Sequence, residues 1–206
     1  MKKILCYGDS NTYGYIPETC GRYEQDCRWS GLLKRYFPNY KIIEEGMNNR
    51  CGFFKNPSGL KQSGGEYLPV FLQNHKDIDI CILNLGTNDA QFFYELDGAA
   101  AEQGLNNLIN SLKDANQNTK IIICAPVKIT ENILRNRFSI QFNKESIERI
   151  KTVFPVFKRT AQERDCLYFD FNKFVNPSEI DGLHYSAESH KIIAKKLAEF
   201  ILEYAQ

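Results

Sequence analysis

The amino-acid sequence predicts an α/β fold in which a parallel five-stranded sheet lies between two layers of helices. Two observations support this prediction. Five short strand-like runs are separated by segments long enough to cross over the sheet, and three of these runs are apolar almost throughout. An apolar run without alternation is typical of a strand that is covered on both faces, as in a parallel sheet. Strands that alternate with helices form a three-layer α/β/α sandwich.

The strand-like runs follow one another at regular intervals along the chain. They are "KILCY" (3–7), "YKIIEE" (40–45), "DICILNL" (79–85), "KIIICAP" (120–126) and "CLYFDF" (166–171). Helices are predicted between and after them, at 28–37, 65–75, 97–116, 144–164 and 187–204. Asp97 is placed to cap the third of these helices, and Ser186 to cap the last. Pro155 is expected to kink or interrupt the fourth, because proline cannot donate a helical hydrogen bond.

Length and composition are those of an ordinary soluble protein. A chain of 206 residues can bury one sizeable core, so we expect a single domain over 1–206. A net charge of +1 does not indicate a basic surface that would bind nucleic acid. No apolar run approaches the length of a membrane span. The short start before Tyr7 lacks a signal-peptide core, which predicts a cytoplasmic location. The seven cysteines contain no Cys-x-x-Cys pair and are expected to be mostly reduced.

The candidate functional residues lie in the loops that follow four of the predicted strands. These residues are Ser10 after the first strand, Gly46 after the second, Asn88 after the third, and Asp181 with His184 after the fifth. In an open parallel sheet, ligands bind outside the carboxyl ends of the strands. We therefore expect these residues to face one crevice.

The residue types in this crevice predict nucleophilic catalysis. A serine hydroxyl becomes a good nucleophile when a base accepts its proton and a third group holds the base in the correct tautomer. Asp181 precedes His184 by three positions, and Gly182 between them makes a turn easy. Asp181 can then accept a hydrogen bond from one imidazole nitrogen while the other nitrogen faces Ser10.

A tetrahedral intermediate also needs donors for its negatively charged oxygen. The candidates are the backbone N–H groups of Ser10 and Gly46 and the side-chain amide of Asn88. Each motif has a plainer interpretation when it is taken alone. "GDS" can be a capped helix start, "GTND" can be a polar loop in which Asn88 or Asp89 caps a helix, and the Asp-x-x-His pair can be an ordinary loop.

Taken together and in this order, the motifs resemble the SGNH hydrolases, also called GDSL esterases and lipases. The matching segments are "GDSNTYG", the glycine of "IIEEGMNNR", "GTND" and "DGLHYS", which span nearly the whole chain. The finer pattern is similar to small bacterial arylesterases and acyltransferases. The resemblance implies a flavodoxin-like fold, no cofactor, a Ser-Asp-His triad and an oxyanion hole from serine, glycine and asparagine. Carried onto this chain, the catalytic residues are Ser10, Gly46, Asn88, Asp181 and His184.

The resulting hypothesis is a serine esterase that hydrolyses a small ester, with acetyl as the expected acyl group, through an acyl-enzyme. The partner expected is a small-molecule ester, with neither nucleic acid nor membrane involved. Some members of the similar branch are oligomeric, so a homo-oligomer is left open. An acyltransferase or thioesterase with the same site, and a non-catalytic binding module, are the alternatives. No Walker lysine, G-x-G-x-x-G or G-x-S-x-G motif supports another class of site.

Several further residues are interpreted as structural. Asp9 is expected to bond the backbone of its turn, and His75 and His190 lie on helices where neither is expected to act. Three scattered histidines without a His-Glu-x-x-His motif predict no metal site. One of Phe92 and Phe93 is expected in the core.

The segment 126–142 after the fourth strand is long and irregular, and it predicts a wall or a lid for the crevice.

Overall fold

Five parallel strands form the centre of the structure, a computed structural model that describes residues 1–205. The strands lie in the order β2-β1-β3-β4-β5. Their bounds are β1 (Lys2–Gly8), β2 (Tyr40–Gly46), β3 (Ile80–Asn84), β4 (Lys120–Cys124) and β5 (Leu167–Phe169). All five predicted strands are therefore present, and β5 is shorter than its apolar run suggested.

In the part of the chain that the structure describes, six α-helices connect and flank the strands. They are α1 (Ser10–Tyr13), α2 (Trp29–Tyr36), α3 (Gly64–Leu72), α4 (Gly98–Ala115), α5 (Lys144–Glu163) and α6 (Ala187–Tyr204). Short 3-10 helices occur at Leu60–Gln62, Asn88–Ala90, Glu131–Arg135, Arg137–Ile140 and Phe171–Lys173. The short helix α1 was not predicted as an element. Within residues 1–205, no helix combines the length and apolar character needed to cross a membrane.

The helices cover the two faces of the sheet in separate layers. Side chains of α3, α4 and α5 pack against one face and form one hydrophobic cluster with β1, β3 and β4. Side chains of α2 and α6 pack against the opposite face and form a second cluster. Every residue of the central strand β3 is buried, whereas the edge strand β2 is only partly covered. The predicted α/β/α sandwich with a parallel five-stranded sheet is confirmed.

Side-chain caps define where two of the long helices begin. The Asp97 carboxylate accepts a hydrogen bond from the backbone N–H of Ala100 at 2.8 Å, and α4 begins at the next residue, as predicted. The Ser186 hydroxyl accepts from the backbone N–H of Ser189 at 3.2 Å at the start of α6. The sequence located these two boundaries correctly because a cap is a local interaction.

The expected interruption at Pro155 is wrong, because α5 runs without a break from Lys144 to Glu163. Pro155 lies on the exposed face of the helix, as does Lys151, whose carbonyl loses its helical donor. That carbonyl can be hydrated by water. Meanwhile Val153, Val156 and Phe157 on the opposite face are buried in the core, so packing outweighs the local cost of the proline.

The carboxyl ends of β2, β1 and β3 lie side by side. Gly8 at the end of β1 is paired with Gly46 of β2 on one side and with Asn84 of β3 on the other. The loops that follow β1, β2 and β3 therefore all begin at the same edge of the sheet. Residues a few positions beyond the row therefore meet above β1, which is the central strand of the three.

Candidate active site

A small cavity lies at this edge of the sheet, with a volume of about 190 Å³. Its lining residues come from loops beyond β1, β2, β3, β4 and β5, and they are Ser10, Tyr15, Asn48, Asn49, Asn88, Phe138, Gln141, Phe142, Leu183 and His184. The segment 126–142 supplies Phe138, Gln141 and Phe142. Its predicted role as a wall of the crevice is therefore found in the structure.

A larger surface depression of about 460 Å³ lies elsewhere, lined by Glu24, Gln25, Asp26, Gly31, Lys34 and Arg35. It holds no hydroxyl or thiol nucleophile, and its charged side chains face open solvent. The smaller cavity combines a hydroxyl, an imidazole and side-chain amides with apolar side chains. Chemistry rather than size therefore identifies the smaller cavity as the candidate site.

Ser10 is held at the start of α1 by a tight turn after β1. A Cβ atom added at Gly8 would lie 2.1 Å from Thr12 Oγ1 and 2.7 Å from the backbone oxygen of Asn84, so only glycine allows this close approach. The Asp9 carboxylate caps α1 by accepting from the backbone N–H of Asn11 at 2.9 Å. The structural interpretation of Asp9 is confirmed. The "GDS" segment both caps α1 and positions Ser10.

Three side chains form a continuous line of hydrogen bonds into the cavity. His184 Nδ1 lies 2.7 Å from Asp181 Oδ2, and His184 Nε2 lies 2.8 Å from Ser10 Oγ. All three residues are buried. The structure thus brings Ser10, His184 and Asp181 together in the geometry of a nucleophile, a base and an orienting carboxylate.

The turn between the aspartate and the histidine is built as the sequence indicated. Gly182 adopts a φ of +71°, and a Cβ there would lie 2.5 Å from Thr130 Oγ1. The backbone N–H groups of Leu183 and His184 both donate to Asp181 Oδ1 at 2.9 Å. One carboxylate oxygen therefore holds the turn, and the other is free to accept from the imidazole.

Electrostatics favour an ionised Asp181. Burial by itself would raise the pKa of this carboxyl group, but hydrogen bonds from the His184 ring and from two backbone N–H groups bring the pKa below its usual value. An acceptor-only carboxylate requires the proton of the neutral imidazole on Nδ1. The Nε2 lone pair then faces the Ser10 hydroxyl.

Aromatic side chains hold the imidazole ring from the cavity side. The Tyr15 ring lies 4.1 Å from the His184 ring between centroids, with an interplanar angle of 32°. The Phe138 ring lies 5.2 Å from the same imidazole. These contacts limit the rotation of His184 and form an apolar side of the cavity.

Asn88 also lines the cavity. It begins the 3-10 turn after β3, and its Nδ2 donates to the backbone carbonyl of Arg50 at 3.0 Å. The neighbouring Asp89 is buried, and its carboxylate accepts from the backbone N–H groups of Gly52 and Phe53, each at 2.7 Å. The loops beyond β2 and β3 are therefore tied together beside Asn88.

The structure does not bring Gly46 to the cavity. A Cβ added to Gly46 would lie 2.2 Å from the backbone nitrogen of Tyr13, so this glycine allows α1 to pack on β2. The cavity wall beyond β2 is formed by Asn48 and Asn49. Within residues 1–205, the backbone N–H groups of both asparagines donate to no acceptor. The sequence did not reveal how far this loop extends past the strand, so it could not indicate that Asn48 and Asn49 reach the cavity.

The expectation that one of Phe92 and Phe93 lies in the core is wrong. Their exposed fractions are 44% and 50%, and their rings pack edge to face on each other with centroids 5.4 Å apart. The inward position of this turn is taken by Gln91, which is 0% exposed. Alternation of apolar character could not reveal this, because the buried position is polar.

The two other histidines lie outside the cavity lining. His75 stacks on Phe71 with centroids 4.1 Å apart. His190 is buried, and its Nδ1 accepts from the backbone N–H of Trp29 at 3.2 Å. Burial lowers the pKa of His190 to about 3, so this imidazole is neutral at physiological pH. Within residues 1–205, no group of three or more His, Cys, Asp or Glu side chains is arranged to hold a metal ion.

Comparison with known families identifies the class of protein. The family of GDSL-like lipases and acylhydrolases matches residues 4–197, and the chain belongs to this family. It is a carboxylic ester hydrolase. The comparison with curated proteins found no match.

Solved structures of esterases share the fold. A carbohydrate acetylesterase family member from Sinorhizobium meliloti is 26% identical, with a TM-score of 0.89 and 98% of each chain covered. The inhibitor-bound aryl esterase of M. smegmatis is 23% identical, with a TM-score of 0.90, and 98% of this chain and 99% of that chain are covered. Another solved structure is 30% identical over the whole of both chains, with a TM-score of 0.90.

Proposed function

We propose that the protein is a serine esterase that hydrolyses small acyl esters, with acetyl as the preferred acyl group, through an acyl-enzyme. The observation that carries the proposal is the line of hydrogen bonds from Asp181 through His184 to Ser10 at the wall of a small cavity. A serine so placed meets the requirements of an activated nucleophile.

In the first half of the proposed reaction, Ser10 Oγ attacks the carbonyl carbon of the ester. His184 Nε2 accepts the hydroxyl proton, and ionised Asp181 stabilises the imidazolium that forms. The carbonyl oxygen becomes an oxyanion as the tetrahedral intermediate forms. When this intermediate collapses, His184 returns the proton to the oxygen of the departing alcohol, and the acyl group stays on Ser10.

In the second half, water attacks the acyl-enzyme and gives up a proton to His184 Nε2. The tetrahedral intermediate collapses to release the carboxylic acid, and the proton returns to Ser10 Oγ. Each half of the reaction thus uses the same base and the same oxyanion donors.

The proposed oxyanion donors are the backbone N–H of Ser10, the second Nδ2 proton of Asn88, and the free N–H groups of the Asn48–Asn49 loop. All belong to residues that line the cavity. Gly46 is left out of this set because its position lies beneath α1. Fixed donors of this kind bind the developing negative charge more strongly than the neutral carbonyl.

Three observations support a small acyl group. The cavity volume of about 190 Å³ is below the usual size of a site for a large ligand. Tyr15, Phe138, Phe142 and Leu183 make part of its wall apolar, which suits a methyl or other short acyl group. The similar S. meliloti protein is described as a carbohydrate acetylesterase family member, which agrees with an acetyl ester as substrate.

We propose that residues 1–206 form one catalytic domain acting on a small-molecule ester.

The test combines substrates with active-site labelling. Nitrophenyl esters from acetate to octanoate and acetylated sugars are assayed with the wild type and with Ser10→Ala. We expect turnover to fall as the acyl chain lengthens and to be lost in the variant. A fluorophosphonate probe should label Ser10 alone, as located by mass spectrometry. Label on another serine, or full activity of Ser10→Ala, would overturn the proposal.

A further inference from the structure

Gln91 occupies a buried position directly behind the proposed oxyanion site. Its side chain lies between two residues of the cavity wall, with Nε2 3.2 Å from Asn88 Oδ1 and 2.8 Å from Asn49 Oδ1. We propose that Gln91 is a positioning residue that sets the orientation of the Asn88 amide and ties it to the Asn49 loop. This inference rests on the proposed function, because it assigns Gln91 a role only if Asn88 is an oxyanion donor.

The polarity of the network follows from one backbone carbonyl. The carbonyl of Arg50 can only accept, so the Asn88 atom 3.0 Å from it must be Nδ2. Asn88 Oδ1 therefore faces Gln91, and Gln91 must present its donor, Nε2. Both Nε2 protons are then in use, one on Asn88 and one on Asn49. Each amide orientation is forced by the one before it.

This arrangement leaves one proton of Asn88 Nδ2 for the cavity. The other proton is held by the Arg50 carbonyl. If the Asn88 amide turned over, its oxygen would face the Arg50 carbonyl and its NH₂ group would face the NH₂ group of Gln91. Both contacts would be repulsive. Gln91 thus makes the catalytically useful orientation of Asn88 the only one with satisfied hydrogen bonds.

The remaining atom of Gln91 indicates that its donors are what matters. Gln91 Oε1 is buried and has no hydrogen-bond partner among the described residues 1–205. Leaving a buried amide oxygen unpaired is costly, and an apolar side chain of similar length would avoid that cost. A glutamine at this position is therefore explained by what its NH₂ group does.

The link to Asn49 connects Gln91 with the second loop of the site. Asn49 has a φ of +61°, an uncommon conformation for a residue with a side chain. Its backbone carbonyl accepts from Asn56 Nδ2 at 2.8 Å, and its side chain accepts from Gln91. Gln91 thus couples the loop beyond β2 to the loop beyond β3, and both loops line the cavity.

Three variants separate donation from packing. Gln91→Met keeps the length of the side chain and removes the donors, and we expect kcat to fall about 10- to 100-fold with KM nearly unchanged, because a misplaced group acts mainly on the transition state. Gln91→Glu replaces the NH₂ donor by an acceptor-only carboxylate, which attracts Asn88 Nδ2 away from the cavity, so its loss should be larger. Gln91→Asn keeps a neutral NH₂ donor on a side chain one methylene shorter. Its loss of kcat should be smaller than that of Gln91→Met, since part of the donation is preserved.

A double-mutant cycle tests whether Gln91 acts through Asn88. Gln91→Met is measured in the wild type and in Asn88→Ala, and we expect less than about a twofold further loss of kcat in the second background. Thr119→Val serves as the stability control, because Thr119 Oγ1 is buried and donates to the Ile78 carbonyl at 2.8 Å before β4, at the opposite edge of the sheet. That variant should lower the thermal midpoint without lowering kcat.

The outcomes separate this inference from the proposed function. If Asn88→Ala keeps full kcat, the proposed oxyanion role of Asn88 is wrong. If Asn88→Ala loses kcat and Gln91→Met loses the same factor in both backgrounds, the inference on Gln91 alone is overturned. Unchanged kcat in folded Gln91→Met also overturns it. If Gln91→Met does not fold, Gln91→Asn is compared with Gln91→Glu instead, and a loss of kcat in Gln91→Asn as large as that in Gln91→Glu contradicts a donor role.

Discussion

The cavity has two polar walls that are built in different ways. The triad wall consists of Ser10, His184 and Asp181, and it contains an ionised carboxylate and an imidazole. The amide wall consists of Asn49 and Asn88 at the cavity with Gln91 behind them, and these three side chains carry no charge and are joined by neutral amide hydrogen bonds. In the proposed reaction the triad wall moves a proton, while the amide wall presents fixed dipoles to a developing charge.

This difference shows how one site can supply both mobile protons and rigid donors. A proton-transfer group needs a partner that stabilises its charged form, and ionised Asp181 provides this for His184. A fixed donor needs every other proton of its amide occupied, so that one proton alone points at the substrate. Removing a charge from the triad wall should therefore cost more than removing one donor from the amide wall.

Asp181→Asn tests the triad wall and should have the largest effect. Asparagine retains an oxygen for the two backbone N–H groups of the turn, so the variant should fold, but its amide favours the wrong imidazole tautomer. We expect kcat to fall by about 10⁴. The measurement is kcat on nitrophenyl acetate together with the thermal midpoint. Asp170→Asn is the control, because the Asp170 carboxylate also accepts from a backbone N–H two residues further on, that of Asn172, at the 3-10 helix Phe171–Lys173 outside the cavity. A nearly active Asp181→Asn would reduce Asp181 to a turn residue.

Asn88→Ala tests the amide wall and should have the second largest effect. Loss of one oxyanion donor is expected to lower kcat by about 10²–10³ while KM changes little. Labelling of Ser10 by a fluorophosphonate should slow as well, because attack on phosphorus also develops charge on an oxygen. If the variant keeps kcat but unfolds at a lower temperature, the role of Asn88 is instead to stabilise its loop.

The buried carboxyl group behind the triad wall gives a pH-dependent prediction. Burial, with a further contribution from Asp89, raises the pKa of Asp9 from 3.8 to about 7, although Arg50 opposes the shift. The folded state therefore binds a proton that the unfolded state releases, and this contribution to stability is lost as pH rises from about 4 through 7. In Asp9→Asn the side chain stays neutral and can still cap α1.

Relative to wild type, Asp9→Asn should gain free energy of unfolding on the order of 2 kcal/mol between pH 5 and pH 7.5. Denaturant unfolding of both proteins at the two pH values measures the change. Curves that shift equally with pH would mean that Asp9 is already ionised at pH 5. Burial also raises the pKa of Asp89, behind the amide wall, to about 6, so both proteins share a pH dependence that does not come from Asp9.

Asn49→Gly tests how much of the amide wall depends on a side chain, and its effect should be the smallest. Glycine adopts the φ of +61° easily and keeps the backbone N–H, while Gln91 keeps its bond to Asn88. We expect kcat to fall less than about tenfold. Asn49→Ala keeps a Cβ in the left-handed region and should lose a further ~1 kcal/mol of stability. A loss of kcat in Asn49→Gly as large as that in Asn88→Ala would show that the amide wall depends mainly on the Asn49 side chain.

The sequence by itself determined the order of strands and helices, the caps at Asp97 and Ser186, and the residues of the triad wall. These features depend on short-range rules. Apolar runs mark buried strands, a cap acts within one turn, and Asp181 lies only three positions from His184. Ser10 could be predicted at the same edge because parallel strands end together.

Only the tertiary structure decided the amide wall. Gln91 and Asn49 are 42 residues apart, and Asn88 and Arg50 are 38 residues apart, so no local pattern relates them. In the structure, Asn48 and Asn49 line the cavity beyond β2, where the sequence had pointed to Gly46. Gln91 is buried there, and Phe92 and Phe93 are exposed. A buried amide is selected by the donors and acceptors around it, and these are set by how distant loops pack rather than by hydrophobic periodicity.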